Sequence, residues 1–139
     1  MTRINCVPAK ELTREHLIAE YRELPRLFGM MKKYQDKGMV PADITIPKEY
    51  CLGTGHMKFF VNKGSWLFAR QLQLISEMQF RGYKPTFTDP SQLLTGIKVH
   101  WLKNWNPSDC DIKINRQRIN QRLKESREAK YDTNDKRRF

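Results

Sequence analysis

The chain has 139 residues, 39% hydrophobic and 11% aromatic, which suits one domain with a modest core. Its 26 Lys and Arg outweigh 15 Asp and Glu, and the resulting net charge of +11 points to a polyanionic partner. No apolar run is long enough to span a bilayer, and neither a signal-peptide core nor a strongly amphipathic terminal helix argues for a membrane.

"MTRINCVPAKEL" reads as an extended lead-in, with Pro8 opposing a helix before it. From about Thr13 the pattern turns helical. Leu17, Tyr21, Leu24, Phe28 and Met31 recur at steps of four and three and form an apolar stripe. Pro25 lies inside that stripe. It lacks a backbone donor and crowds the carbonyl four residues back, so a kink is expected near Tyr21 to Leu24. Gly38 should end the helix.

Residues 39–64 read as irregular, with two prolines, short apolar bursts and several glycines. A second helix is expected through "SWLFARQLQLISEMQFRG", capped by Ser65, with Phe68, Leu72 and Ile75 on one face and Gly82 at its end. "YKPTFTDPSQLL" and "GIKVHWLKNWNP" read as loop. The third helix should start after Ser108, a good cap, with Asp109 and Asp111 favouring its positive end. Ile112, Ile119 and Leu123 continue its inner face. The expected fold is therefore all-α: a single compact domain over residues 1–124, with three main helices, long irregular connections and an N-terminal extended segment. A charged tail over residues 125–139 follows, which either extends the third helix or is disordered.

Cys6, Cys51 and Cys110 are odd in number and include no CxxC, which fits a reduced intracellular compartment better than a disulfide framework. His16, His56 and His100 are scattered, and no His/Cys pair has metal-ligand spacing, so neither a metal nor a cofactor is expected. The glycines of "GTGH" suggest a tight turn and not a phosphate cradle, since no "GK[ST]" follows.

The informative stretch is "HLIAEYRELPRLFG". On a helix Arg22 and Arg26 lie one turn apart, with Glu23 beside both and the apolar stripe roughly opposite. By itself this is either an ordinary solvated face with one ion pair or a phosphate clamp around a catalytic acid. Thr2 presents a similar choice. A small second residue permits removal of Met1, which leaves a secondary-alcohol side chain beside a free α-amine. Taken alone, such an end is a frayed terminus.

"MTRIN", "HLIAEYRELPRLFG", "LGTGHMKFF" and a helix ending in "RG" together resemble the pyrimidine dimer DNA glycosylase family, of the phage endonuclease V type. The similarity is nearly gap-free through about Gly82, weak from there to Pro107, and resumes in "INRQRINQRL". The resemblance implies a DNA repair enzyme that excises ultraviolet-induced pyrimidine dimers and then cleaves the strand as an abasic-site lyase. The α-amine of Thr2 would be the nucleophile and Glu23 the catalytic carboxylate. Arg3, Arg22 and Arg26 would contact the substrate, as would Arg118 and Arg122, the last two through an alignment offset by one residue. The implied partner is double-stranded damaged DNA, bound by a monomer without metal or membrane. The implied setting is intracellular and nucleoid-associated, inside the host cell for a virus-encoded member.

An α-amine has a reference pKa of about 7.7–8.0 against about 10.4 for lysine, so it is partly neutral near physiological pH. Arg22 and Arg26 would lower it further. His16 and Glu20 also match the family; they read as structural, holding the lead-in or the loop around His56. Lesion specificity is where the sequence departs. The family's type member ends in an aromatic and basic tail, whereas "KYDTNDKRRF" offers only Tyr131 and Phe139. Trp101, Lys103 and Trp105 offer aromatics and charge: either these compensate, or the tryptophans are simply packed or at the surface, packing being the commoner fate. Glu15 stands where the type member has a neutral amide, and facing phosphate would be unfavourable for it. The alternatives are a lyase for another damaged base, or a non-catalytic DNA-binding protein that keeps this fold.

Overall fold

The computed structural model describes the backbone of residues 3–137 and the side chains of residues 3–128. It is helical, with no strand among the described residues. Five helices follow one another: α1 (Arg14–Glu23), α2 (Pro25–Asp36), α3 (His56–Phe60), α4 (Gly64–Phe80) and α5 (Asp109–Arg137). Two compact units divide the chain, Met1–Asn106 and Pro107–Phe139.

Thr13 caps α1, its hydroxyl accepting from the His16 N–H at 3.3 Å. The expected interruption falls at Leu24, which keeps helical angles (φ −54°, ψ −40°) while Pro25 opens α2 at its first position. Pro25 has no N–H, so the Tyr21 carbonyl loses its helical partner. A buried side chain from α4 replaces it: Gln71 Nε2 donates to Tyr21 O at 3.0 Å. Leu17, Tyr21, Leu24, Phe28 and Met31 are all buried, as their spacing predicts. α2 stops in a Schellman turn, with Gly38 N–H donating to Gln35 O and Met39 N–H to Tyr34 O. α4 ends the same way, through Gly82 and Tyr83.

α4 packs against α1. Its inner face is Leu67, Gln71, Leu74, Ile75 and Met78, whereas Phe68 is half-buried and Leu72 exposed. The face expected from Phe68, Leu72 and Ile75 was thus rotated, with Ile75 alone belonging to it. Ser65 does not cap α4 either. Segment 101–103 lies across the helix start, where Ser65 Oγ donates to Leu102 O (2.7 Å) and Lys103 O accepts from the Ser65 N–H (3.2 Å). A tertiary carbonyl thus satisfies a donor that a local cap would have served. The long connection from α4 is pinned at several points. Tyr21 OH exchanges hydrogen bonds with the Phe87 backbone, and Gln35 does so with Gly96 O and Lys98 N–H. Trp101 is fully buried and stacks on Tyr34 at 5.8 Å.

In the second unit Ser108 caps α5 as expected. Ser108 Oγ accepts from the Asp111 N–H at 3.1 Å, and Asp111 Oδ2 accepts from the Ser108 N–H at 2.9 Å, a reciprocal capping box. The helix continues to Arg137.

The lead-in has no regular secondary structure over Arg3–Cys6, bends at Val7 and then makes a 3-10 turn over Ala9–Glu11. Beneath it lies a buried ion pair, Arg70 Nε to Glu20 Oε2 at 2.7 Å. Arg70 also reaches Glu20 Oε1, Val7 O and Gln73 Oε1, while Asn5 Nδ2 donates to Glu20 Oε1 at 2.8 Å. Farther along, Arg81 donates to the Leu12 carbonyl at 2.7 Å and more weakly to those of Ala9 and Lys10. Glu20 therefore holds the lead-in, the structural duty its position suggested.

Two substitutions test this account. Glu20→Gln leaves the Arg70 guanidinium buried without a counter-charge and should cost about 3–5 kcal/mol, read from the urea midpoint at constant m-value. Gln71→Leu orphans the Tyr21 carbonyl and should cost about 1–3 kcal/mol in the same measurement. An unchanged midpoint in either variant would contradict the corresponding bond.

Candidate active site

The site is assembled around the lead-in. Ile4, Asn5, Cys6 and Val7 are buried and Arg3 is half-buried. Four side chains from outside the segment grip it. The Ile4 N–H donates to His56 Nε2 at 2.8 Å, Ile4 O accepts from Tyr50 OH at 3.4 Å, Asn5 reaches Glu20, and Val7 O accepts from Arg70. Thr2 lies outside the described residues.

His56 opens α3 after a tight turn. Gly55 sits at φ 90°, and a Cβ there would crowd Pro47 Cγ at 3.3 Å, so both the backbone conformation and the space favour glycine. The expectation of a turn in "GTGH" is met. Burial lowers the His56 pKa below its ordinary 6.5, and the Arg3 charge adds to this; the Cys51 carbonyl and Glu20 oppose it. Tyr50 is packed edge-on to His56, Phe59 and Phe60 and stacks on Trp105. Burial pushes its hydroxyl well above the ordinary range, assisted by Cys6 and opposed by Arg3. Trp105 also meets Trp66 at 4.9 Å. Trp101 and Trp105 are both packed, the commoner fate for tryptophan.

Arg22 and Arg26 are exposed on α1 and α2. Glu23 is half-buried, its Oε1 3.9 Å from Arg26 Nη1. Glu23 stands three residues after Glu20, so the two carboxylates share a side of the helix one turn apart. Glu20 is wholly occupied inside, whereas Glu23 keeps a quarter of its side chain open. The structure thus brings Arg22, Glu23 and Arg26 onto one surface, and it puts Arg3 in the electrostatic field of His56 and Tyr50. Arg118 and Arg122 lie one turn apart on α5 in the second unit, with Arg118 donating to Gln121 Oε1 at 3.4 Å. Glu15 is exposed, and Arg14 beside it rests over the Tyr83 ring at 5.6 Å.

Sequence reasoning did not single out Asn5, Tyr50 or Arg70, and it left His56 ambiguous. The contacts that join them to the lead-in and to Glu20 span 15 to 63 residues, so no local pattern announces them. Lys63 was missed as well. Its Nζ donates to Phe59 O at 2.6 Å and to Asn62 Oδ1 at 3.1 Å, and it sits 3.9 Å from the Phe59 ring centroid. Burial, with Lys103 nearby, brings its pKa down to about 8. Among the described residues no group of three or more His, Cys, Asp or Glu could hold a metal ion, and no helix is long and apolar enough to cross a membrane.

The family model for pyrimidine dimer DNA glycosylase matches residues 1–91 of the 139. That span contains the lead-in, the residues that grip it, and the Arg22, Glu23 and Arg26 surface; Arg118 and Arg122 fall beyond it. Because one continuous match takes in both the anchored segment and the charged helix beside it, the chain belongs to the pyrimidine dimer DNA glycosylase family.

Proposed function

We propose that this chain, as a monomer on duplex DNA, excises ultraviolet-induced cyclobutane pyrimidine dimers and cleaves the strand at the resulting abasic site through the α-amine of Thr2. The observation that carries this reading is the grip on the lead-in: Ile4, Asn5 and Val7 are each held by a distant side chain, three of the contacts at 2.8 Å or less. A frayed end has no use for such anchors. A reactive amine does, because small misplacements of a nucleophile cost large factors in rate.

The chemistry follows from the amine. With Met1 removed, its lone pair attacks the anomeric carbon of the damaged nucleotide, and the glycosidic bond breaks as the base departs with the bonding electrons. Loss of an amine proton and opening of the sugar ring give an imine. Protonated, it acidifies the neighbouring sugar C–H; removal of that proton expels the 3′ phosphate by β-elimination. Glu23 is suited to stabilise positive charge on the sugar and to move these protons. Its placement supports the role, since Glu20 on the same helix side already bonds Asn5 of the lead-in. Arg22 and Arg26, exposed beside it, are suited to flanking phosphates, and Arg3 to the nucleotide itself. We assign Arg118 and Arg122 to phosphate contacts on α5. Reaching a sugar carbon inside a duplex requires kinking the DNA and extruding a nucleotide.

Borohydride reduction on abasic-site DNA should trap a covalent adduct at Thr2. The adduct should vanish when Met1 is retained or the terminus acetylated, and it should persist in Lys63→Ala. No adduct from a processed chain sinks the lyase reading, and an adduct mapped to Lys63 reassigns the nucleophile. Glu23→Gln should keep duplex affinity while slowing cleavage by about 10²–10⁴-fold. Undiminished cleavage in single-turnover assays means that Glu23 has another role. Preference for irradiated over otherwise damaged duplex tests the substrate.

A further inference from the structure

We propose that His56 is a positioning residue for the N-terminal amine: its neutral imidazole holds the Ile4 amide, and uptake of a second proton releases it. The proposal rests on the reading of the terminus as reactive. It begins from hydrogen-bond chemistry. His56 Nδ1 lies 2.8 Å from Cys51 O, and a carbonyl can only accept, so Nδ1 carries the proton. His56 Nε2 lies 2.8 Å from the Ile4 nitrogen, which can only donate, so Nε2 must offer a lone pair. Two backbone partners on opposite sides of a buried ring thus select one tautomer. An imidazolium would turn the Ile4 contact into two opposed N–H groups, in a place where His56 and Ile4 are both buried.

The groups facing the ring decide how it titrates. Arg3, on the lead-in, opposes a second positive charge. Glu20, on α1, favours one, but its oxygens are already bonded to Arg70 of α4 and Asn5. Tyr50 and Phe60 present ring edges, and the Tyr50 hydroxyl points to Ile4 O. The thiol of Cys6 acts on Tyr50. Burial is the largest influence, and the folded pKa lies below the ordinary 6.5. A histidine so depressed contributes its full stabilisation above the unfolded pKa of 6.5, and that contribution is lost as pH falls through the lower, folded value. The Ile4 contact is therefore engaged at neutral pH and released in acid. Ile4 is two residues from Thr2, so its release acts directly on the amine.

Three proteins with processed N-termini decide the matter: wild type, His56→Gln and His56→Leu. Gln keeps an acceptor and does not titrate; Leu has none. Amide hydrogen exchange should show Ile4 protected at neutral pH in wild type, with the protection factor falling below about pH 6.5 while Leu17 stays protected. Gln should retain Ile4 protection into acid, and Leu should lose it at every pH. Borohydride trapping by Leu should slow about tenfold or more at unchanged duplex affinity, and Gln should lose the part of the acid limb that wild type shows beyond titration of the amine. Equal Ile4 protection in Leu and wild type overturns the proposal, as does wild-type trapping by Leu with Ile4 unprotected. If Leu fails to fold, the wild-type nitrogen shifts decide: titration of His56 in step with Ile4 exchange supports the proposal, and independent transitions overturn it. Absence of trapping in wild type refutes the reactive terminus and with it the positioning role, while the exchange data show separately whether His56 holds Ile4.

Discussion

The buried ion pair between Glu20 and Arg70 is the constraint around which the first unit is arranged. Taking two charges out of water is costly, and the attraction between them offsets that cost only when the remaining donors and acceptors are also satisfied. Here they are. Arg70 meets both oxygens of Glu20 and also Val7 O and Gln73 Oε1, while Glu20 accepts from Asn5 as well. The pair thereby ties together α1, α4 and the lead-in, whose residues lie up to 63 positions apart. Such a network fixes the position of a segment that has no regular secondary structure, and among the described residues there is no strand for it to pair with.

The same helix separates two carboxylates by environment. Glu20 is sealed against Arg70, and Glu23, one turn on, remains partly open with Arg26 as its neighbour. One serves the fold, and the other keeps part of its carboxylate at the surface. The break at Pro25 fits this arrangement. Its missing donor frees the Tyr21 carbonyl, and Gln71 from α4 takes that carbonyl up inside the core. A feature that interrupts a helix locally thus becomes one of the bonds that fixes α1 on α4.

The helical architecture was largely legible. The Leu17 to Met31 stripe, the interruption at Pro25, the Gly38 and Gly82 stops and the Ser108 cap are all encoded within a few residues, the range over which periodicity and capping act. The α4 assignments were less so. Leu72 is apolar but exposed, while Gln71 and Arg70 are polar but buried, because α1 and the lead-in supply partners for the Gln71 amide nitrogen and the Arg70 guanidinium. A pattern that equates polar with outside rotates such a helix the wrong way. Ser65 misleads similarly, since the segment at 101–103 supplies what a local cap would have given.

The sequence by itself determined the family and the charged surface at the junction of α1 and α2, because Arg22, Glu23 and Arg26 lie within about one turn of a backbone that stays helical through Leu24. It also pointed to Thr2 through "TRIN" beside "AEYREL". Only the tertiary structure decided what holds the segment that leads to Thr2. Ile4 depends on His56 and Tyr50, Asn5 on Glu20, and Val7 on Arg70, contacts that span 15 to 63 residues. Hydrogen bonds between such distant groups leave no periodic trace in the chain. They exist because burial removes water as a competing partner, and that occurs only once the helices have packed.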